Sequence, residues 1–332
     1  MDPVDIVGLA RTLIDIDSTS GREAEASRWL SGWLRDRGYD VTEQPVADDR
    51  FNVIATLDPP DVVLSTHIDC VPPFFPSREE DNLLYGRGAC DAKGILAAQL
   101  AALERLRAED ERRVALLVVV GEERGSQGAR AANTRTLGSR YLINGEPTDS
   151  RLGAATRGVY RVRLVARGRA SHSSHPELGE SAIEKLLDAL VQLRTLPLPD
   201  DSRLGRTYYT VGLMSGGVAP NVVPPGAEAE VNFRTVGSAA EVRTALKPLT
   251  STVNIEDVVE VPPVVLETVP DFTTEVFPYT TDIPFLSAWG RPLLFGPGSV
   301  LVAHTDEEHI RISEMLRSVD HYVNLVRRLL VS

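Results

Sequence analysis

Two short runs, residues 62–68 and 113–120, constrain the fold more than any other part of the sequence, because their apolar residues stand consecutively, at Val62–Leu64 and Val114–Val120, rather than alternating. A strand with one face in water alternates apolar and polar residues. A strand covered on both faces has no such need, and that situation arises mainly in sheets of largely parallel strands with helices on either side. Between the two runs, residues 92–109 carry Leu96, Leu100, Leu103 and Leu106 near the 3.6-residue period, which predicts a helix. Further short apolar runs at 52–57 and 141–144 predict strands. Ile6, Leu9, Leu13 and Ile14 share one face of a first helix, and a second covers about 23–37 and stops at Gly38. Strand and helix alternate, so this part of the chain reads as α/β with a mostly parallel sheet.

The pattern changes after residue 156. Residues 160–166 alternate like a half-exposed strand. A helix at 181–196, strands at 207–213 and 227–234, a helix at 239–249 and a strand at 254–261 follow. The order β-α-β-β-α-β is that of a ferredoxin-like unit. Pro262-Pro263 marks its end. The remaining stretch offers a strand at 292–295, a Gly-Pro-Gly turn at 296–298 and a helix at about 307–330, too little apolar surface to fold alone. The expected organisation is therefore one domain from 1–156 and 263–332, with 157–262 inserted as a second. A length of 332 residues suits two domains.

A net charge of -12 argues against a nucleic-acid groove, which needs a basic stripe. No stretch is long and apolar enough to span a bilayer, and the acidic, amphipathic start lacks the layout of a secretory signal. Cys70 and Cys90 are the only cysteines, so no disulfide framework is expected. These features predict a cytoplasmic protein.

The residues able to carry chemistry cluster where strands end, which is where ligands gather in α/β sheets. Thr66-His67-Ile68-Asp69 closes the first run. Residues i and i+2 of an extended segment point the same way, so His67 and Asp69 can face one site, the carboxylate fixing the imidazole tautomer. The glycine-rich stretch 86–94 opens the leucine-striped helix but lacks the Lys-Ser/Thr ending of a phosphate loop. Its Asp91 is either a helix cap or a carboxylate shared between two cations. Glu122 and Glu123 follow the second run. Adjacent acids at a strand end repel unless a cation is near; the pair fits one ligand and one free base, with a solvated acidic turn as the alternative. Glu146 and His304 follow further strands. His67, Asp91, Glu123, Glu146 and His304 make five nitrogen and oxygen donors, which suit two zinc-like cations, with cobalt or manganese as alternatives.

In order, the chain carries THID at 66–69, GRGACDAKG at 86–94, GEERGSQGA at 121–129, GEPT at 145–148 and AHTDEE at 303–308. The middle part adds GRASHSSHPELGESAI at 168–183 and GGVAPNVVPPGAEAEVNFR at 216–234. Over nearly its whole length it thereby resembles the di-zinc metallopeptidase family of acetylornithine deacetylase, succinyl-diaminopimelate desuccinylase, aminoacylase and the glutamate carboxypeptidases. The resemblance implies a catalytic domain with an inserted lid that also forms a homodimer. It implies that Asp91 bridges two metals, with His67 and Glu146 completing one site and Glu123 and His304 the other. Glu122 would be the general base, and Asp69 would orient His67. His172 would reach the partner subunit's site and hold the oxyanion, while Asn221 and Arg234 would bind the substrate's carboxylate or neighbouring polar groups. The chain departs from the family pattern at Thr280-Thr281-Asp282 and at Glu230–Arg234. Glu146 at its position favours deacetylation or desuccinylation of a small N-acyl amino acid, a step of amino-acid biosynthesis, over aminopeptidase action. A dipeptidase or carboxypeptidase acting on a short peptide is the alternative. A metal-holding protein without catalysis is a third reading, against which the free Glu122 speaks.

Overall fold

A computed structural model describes residues 4–331. The chain divides into two compact units. One takes the residues up to Ala154, Leu266–Glu275 and those from Thr281 onward; the other takes Ala155–Val265 and Val276–Thr280.

The first unit opens with α1 (Ile6–Asp15), whose Asp5 cap accepts the Gly8 amide at 3.0 Å and whose buried face is Leu9, Ala10, Leu13 and Ile14. Next come α2 (Ala24–Arg35) and the antiparallel pair β1 (Asp40–Ala47) and β2 (Arg50–Thr56). β1 carries Asp40, Glu43 and Pro45 and is largely exposed, the composition of a protected edge. β3 (Val62–His67) and β4 (Val114–Val119) are buried at every position, which is why their sequences do not alternate. Burying a Val or Leu there contributes about 1.5–3 kcal/mol each. Between them runs α3 (Lys93–Ala108), buried on nearly all sides rather than along one stripe. α4 (Gln127–Ala132) and β5 (Tyr141–Asn144) complete this stretch.

The second unit has its own core, built on Tyr160, Val162, Leu164, Leu186, Val231 and Phe233. It consists of β6 (Gly158–Arg167), α5 (Ala182–Leu193), β7 (Tyr208–Gly216), β8 (Gly226–Thr235), α6 (Ala239–Leu246) and β9 (Asn254–Val261). Ser181 and Ser238 cap the two helices. The strands lie in the order β7-β8-β6-β9 with every neighbour antiparallel. α6 is shorter than the apolar pattern predicts, since Pro248 turns its end into a 3-10 segment. Ala155 and Thr156 pair antiparallel with Val265 and Val264, so the unit's entry and exit lie side by side.

After the second unit, β10 (Arg291–Leu294) pairs in parallel with β5, and α7 (Ile312–Leu330) packs on α3. The large sheet reads β1-β2-β4-β3-β5-β10, parallel from β4 to β10 and antiparallel at the β1-β2 end. The last helix starts at Ile312 and not near 307. Residues His309–Arg311 instead form a short strand against Leu83–Tyr85, and the Glu308 carbonyl accepts the Gly86 amide at 3.1 Å. Among the described residues no helix is long and apolar enough to cross a membrane.

Candidate metal centre

β4, β3 and β5 are adjacent and parallel, with His67 opposite Val119 and Ser65 opposite Asn144. Their carboxyl ends therefore come level, and the segments leaving them carry the polar residues. Gly121, at φ +70°, turns the chain out of β4 in a conformation that glycine adopts without strain. Gly145 leaves β5 against α3, where a Cβ would stand 2.5 Å from Gln99 Nε2 and 2.6 Å from Ile95 Cγ2.

Two groups of possible ligands form there, His67 with Asp91 and Glu146, and Asp91 with Glu123 and His304. Within each, the donor atoms lie within 4.8 Å of one another. Asp91 belongs to both through different oxygens. Its Oδ1 is 2.9 Å from His67 Nε2, and its Oδ2 is 3.3 Å from His304 Nε2. Glu146 Oε2 lies 3.7 Å from His67 Nε2, and Glu123 Oε1 lies 2.8 Å from His304 Nε2. Glu146 Oε1 is buried with no hydrogen-bond partner. A buried acceptor left orphaned beside imidazole nitrogens fits a cation-binding site better than a structural hydrogen-bond cluster.

The electrostatics agree. Burial acts to lower the pKa of His67, yet the carboxylates of Asp69, Asp91 and Glu146 gathered around it carry it well above the usual imidazole value. Hydrogen bonds to Asp91 and Glu123 push His304 up to about 10. Burial drives Glu146 up to about 8 and raises Glu123 as well. Burial also opposes ionisation of Asp91, but its hydrogen bonds to His304 and His67 hold it well below the ordinary range. Two imidazoliums thus neutralise the acids where cations would do so.

Glu122 belongs to neither group. Burial, then the charges of Asp282 and Glu146, hold its carboxyl well above the usual range. Asp69 is fully buried, and its carboxylate accepts the amides of Glu122 at 3.0 Å and Glu123 at 3.2 Å and the Ser20 hydroxyl at 2.9 Å. The partner of His67 Nδ1 is the Asp69 carbonyl oxygen at 2.9 Å; the carboxylate stands off at 3.6 Å, beyond hydrogen-bond range. β3 ends at His67, so the i, i+2 alignment of an extended strand does not reach Asp69. Asp69 therefore meets the imidazole through its main chain and shapes the Glu122-Glu123 turn through its side chain.

Three further residues escape the sequence patterns. Asp282 is 1% exposed, keeps Oδ1 without a partner, and faces Glu122 electrostatically. Arg87 and Glu308 form a buried ion pair at 2.6 Å. The signals were present, in the Thr-Asp step at 281–282, the Gly-Arg-Gly turn and the last acid of AHTDEE. A single Asp, Arg or Glu, however, reads equally well as surface.

His172, Asn221 and Arg234 lie in the second unit. His172 is exposed, with Nδ1 2.7 Å from the Ser174 hydroxyl, and it forms a β-bridge with Val222. The Asn221 carbonyl accepts the Ser173 amide at 3.0 Å, so the His172 and Asn221 loops adjoin. Arg234 is half-buried on β8, paired with Val159 and Tyr208. That is eight residues along the strand from Gly226, roughly 27 Å at about 3.4 Å per residue. The second unit of one chain does not bring Arg234 to the Asn221 loop.

Residues 63–328 match the model of peptidase family M20/M25/M40. A probable carboxypeptidase of Aspergillus clavatus is 35% identical, with 97% of this chain and 82% of that protein covered. Among solved structures, aminopeptidase PepT from Bacillus cereus superposes with a TM-score of 0.83 at 20% identity, covering 98% of each chain. A dinuclear metal-binding peptidase of the M20 family from Bacillus subtilis gives 0.71 at 16% identity, covering 98% and 97%. The two structures share the fold. With four-fifths of its length inside the family match and a relative above one-third identity along nearly all of it, the chain is a hydrolase and belongs to peptidase family M20/M25/M40.

Proposed function

We propose that this hydrolase cleaves the amide bond that joins an acyl group to an amino acid with a free carboxylate, acting as a carboxypeptidase on short peptides. The observation that carries the reading is the pair of ligand groups sharing Asp91 beside an acid, Glu122, that belongs to neither. The carboxypeptidase relative supports the choice of substrate. An N-acyl amino acid offers the same bond and the same carboxylate without the peptide's α-amine. Deacylation is therefore the second reading, favoured by Glu146 in its GEPT setting.

His67, Asp91 and Glu146 would hold one divalent ion, and Asp91, Glu123 and His304 a second; zinc fits these donors, as do cobalt and manganese. Bound there, the ions make a water acidic near neutral pH and polarise the scissile carbonyl. Glu122 accepts the water's proton and delivers it to the leaving amine. Asp69 holds the Glu122 and Glu123 amides, which fixes the base relative to the ligand beside it.

His172 would stabilise the oxyanion, and Asn221 and Arg234 the carboxylate. Because Arg234 is so far along β8 from the Asn221 loop, one substrate meets both only if two copies contribute. That supports a homodimer through the second unit acting as a lid. The exposed outer strand β7, with Val211, Leu213 and Met214 and no charged residue, suits such pairing. Both cysteines are free and buried, consistent with a cytoplasmic protein.

The deciding experiment compares dipeptides and tripeptides, their C-terminal amides and N-acetyl amino acids, with zinc, cobalt or manganese supplied. Release of the C-terminal residue, abolished by amidation, is expected. Cleavage that tolerates amidation and removes the N-terminal residue would overturn the reading.

A further inference from the structure

Arg87 and Glu308 are among the most enclosed charged residues of the first unit, each side chain 1% exposed. Arg87 Nη1 meets Glu308 Oε2 at 2.6 Å, and Arg87 Nε donates to the Pro73 carbonyl at 3.0 Å. The guanidinium also lies over the Phe75 ring, 4.8 Å from its centroid. The other oxygen of Glu308 accepts two main-chain amides, those of Cys90 at 3.2 Å and Asp91 at 3.1 Å. The Glu308 carbonyl takes the Gly86 amide. Upstream of His304, the Ser299 carbonyl accepts the Cys90 thiol at 3.2 Å. The segment that carries His304 is therefore tied, on both sides of that histidine, to the turn that carries Asp91.

We propose that the Arg87–Glu308 pair is a positioning device for the metal centre, setting the spacing between Asp91 and His304 and so the ion position they share with Glu123. It rests on the metal-centre reading above. Glu308 touches no ligand side chain; it acts through the peptide amide of Asp91, and Arg87 acts through Glu308. A carboxylate locked by a guanidinium has one orientation, and the two amides it receives inherit that precision. The ion position formed by His67, Asp91 and Glu146 draws its other two ligands from the ends of β3 and β5, which the pair does not tie down.

The test is cobalt and zinc titration of the full chain by calorimetry and visible absorption, with melting temperature recorded for each variant. Three variants are needed: Glu308→Gln, Glu308→Leu, and the double variant Arg87→Met with Glu308→Leu. Removing one partner leaves a buried charge and threatens folding. The double variant removes both charges and nearly keeps volume, so it should fold, with the melting temperature as the check, while the Cys90 and Asp91 amides stay without their acceptor. The wild type is expected to take two ions per chain. In the double variant one ion should still bind tightly and the second should weaken about 10–100-fold, the usual effect of losing an outer partner of a ligand, with kcat falling and KM little changed. Glu308→Gln, which keeps the amide acceptor, should recover most of that affinity. A folded double variant that binds both ions as the wild type does would overturn the proposal. A wild type that binds no ion would instead overturn the metal-centre reading beneath it.

Discussion

Replacing Glu122 with Gln separates the chemistry of this site from its architecture. The substitution keeps the side chain's size, and the main-chain contact that fixes the turn, Glu122 N to Asp69 Oδ1 at 3.0 Å, is untouched. Neither ligand group contains Glu122, so ion binding should persist with two ions per chain. Loss of a general base typically costs 10²–10⁴ in rate, or about 3–5 kcal/mol of transition-state stabilisation, and kcat should fall by that factor with KM little altered. Stability should move the other way. Burial and the facing charges of Asp282 and Glu146 raise the folded-state pKa of Glu122. Its ionisation therefore costs stability as pH rises above the unfolded carboxyl value, and Gln abolishes that loss. Steady-state kinetics, metal analysis and a thermal melt of the metal-free protein at pH 8 read the three effects. A variant with kcat within tenfold of wild type and both ions bound would refute Glu122 as the base, and a variant that lost its ions would refute its place outside the ligand groups.

The metal-free protein should lose stability as pH rises from about 5 to about 10. Glu146 is raised to about 8 and His304 to about 10, so each contributes most below its unfolded value and the contribution is lost through its folded one. Melting curves in chelator that rise with pH would contradict this. Ion uptake should release protons near pH 7, because His67 and His304 are both held protonated in the ion-free site. Calorimetric heats independent of the buffer's ionisation enthalpy would count against it. Asn52 is fully buried, donates to Gly128 O at 2.8 Å and accepts Val120 N at 3.2 Å. Asn52→Leu should cost about 2–6 kcal/mol, roughly 1–3 for each of these two orphaned main-chain groups, beyond the lost bond to Gln44 Oε1 at 3.0 Å, and a urea midpoint equivalent to less than 1 kcal/mol would show that the network is dispensable.

What could be read in advance follows from which residues announce themselves. β3 and β4 are legible because burial on both faces leaves continuous apolar runs, and β5 because Tyr141–Asn144 is short and bounded. β1 is not, since an edge strand with Pro45 and two acids, Asp40 and Glu43, carries no continuous apolar signal. The Leu stripe of α3 predicted a helix but understated its burial, because its small residues, such as Ala97, Ala98 and Ala101, also face neighbours. α7 starts later than its pattern predicts for a related reason. Residues 307–311 have ordinary helical composition, and it is distant partners, Gly86, Arg87, Cys90 and Asp91, that hold Glu308 out of a helix. His67, Asp91, Glu123, Glu146 and His304 stand beside strands or turns that the pattern locates. Asp282 and the detailed bonding of Asp69 depend on long-range packing that no local pattern encodes.

The side-by-side entry and exit of the second unit bear on how the first is completed. Glu146 precedes that unit and His304 follows it, while β10 must return to cover the bare margin of β5. Pairing Ala155 with Val265 and Thr156 with Val264 cinches the intervening chain, shortening the open loop from β5 to β10 roughly fourfold and sparing on the order of 1 kcal/mol of closure entropy. A lesion that unravels the second unit would thus loosen the ion site from a distance, leaving a half-made sheet with an adhesive parallel margin at the moment the nascent chain most needs it hidden.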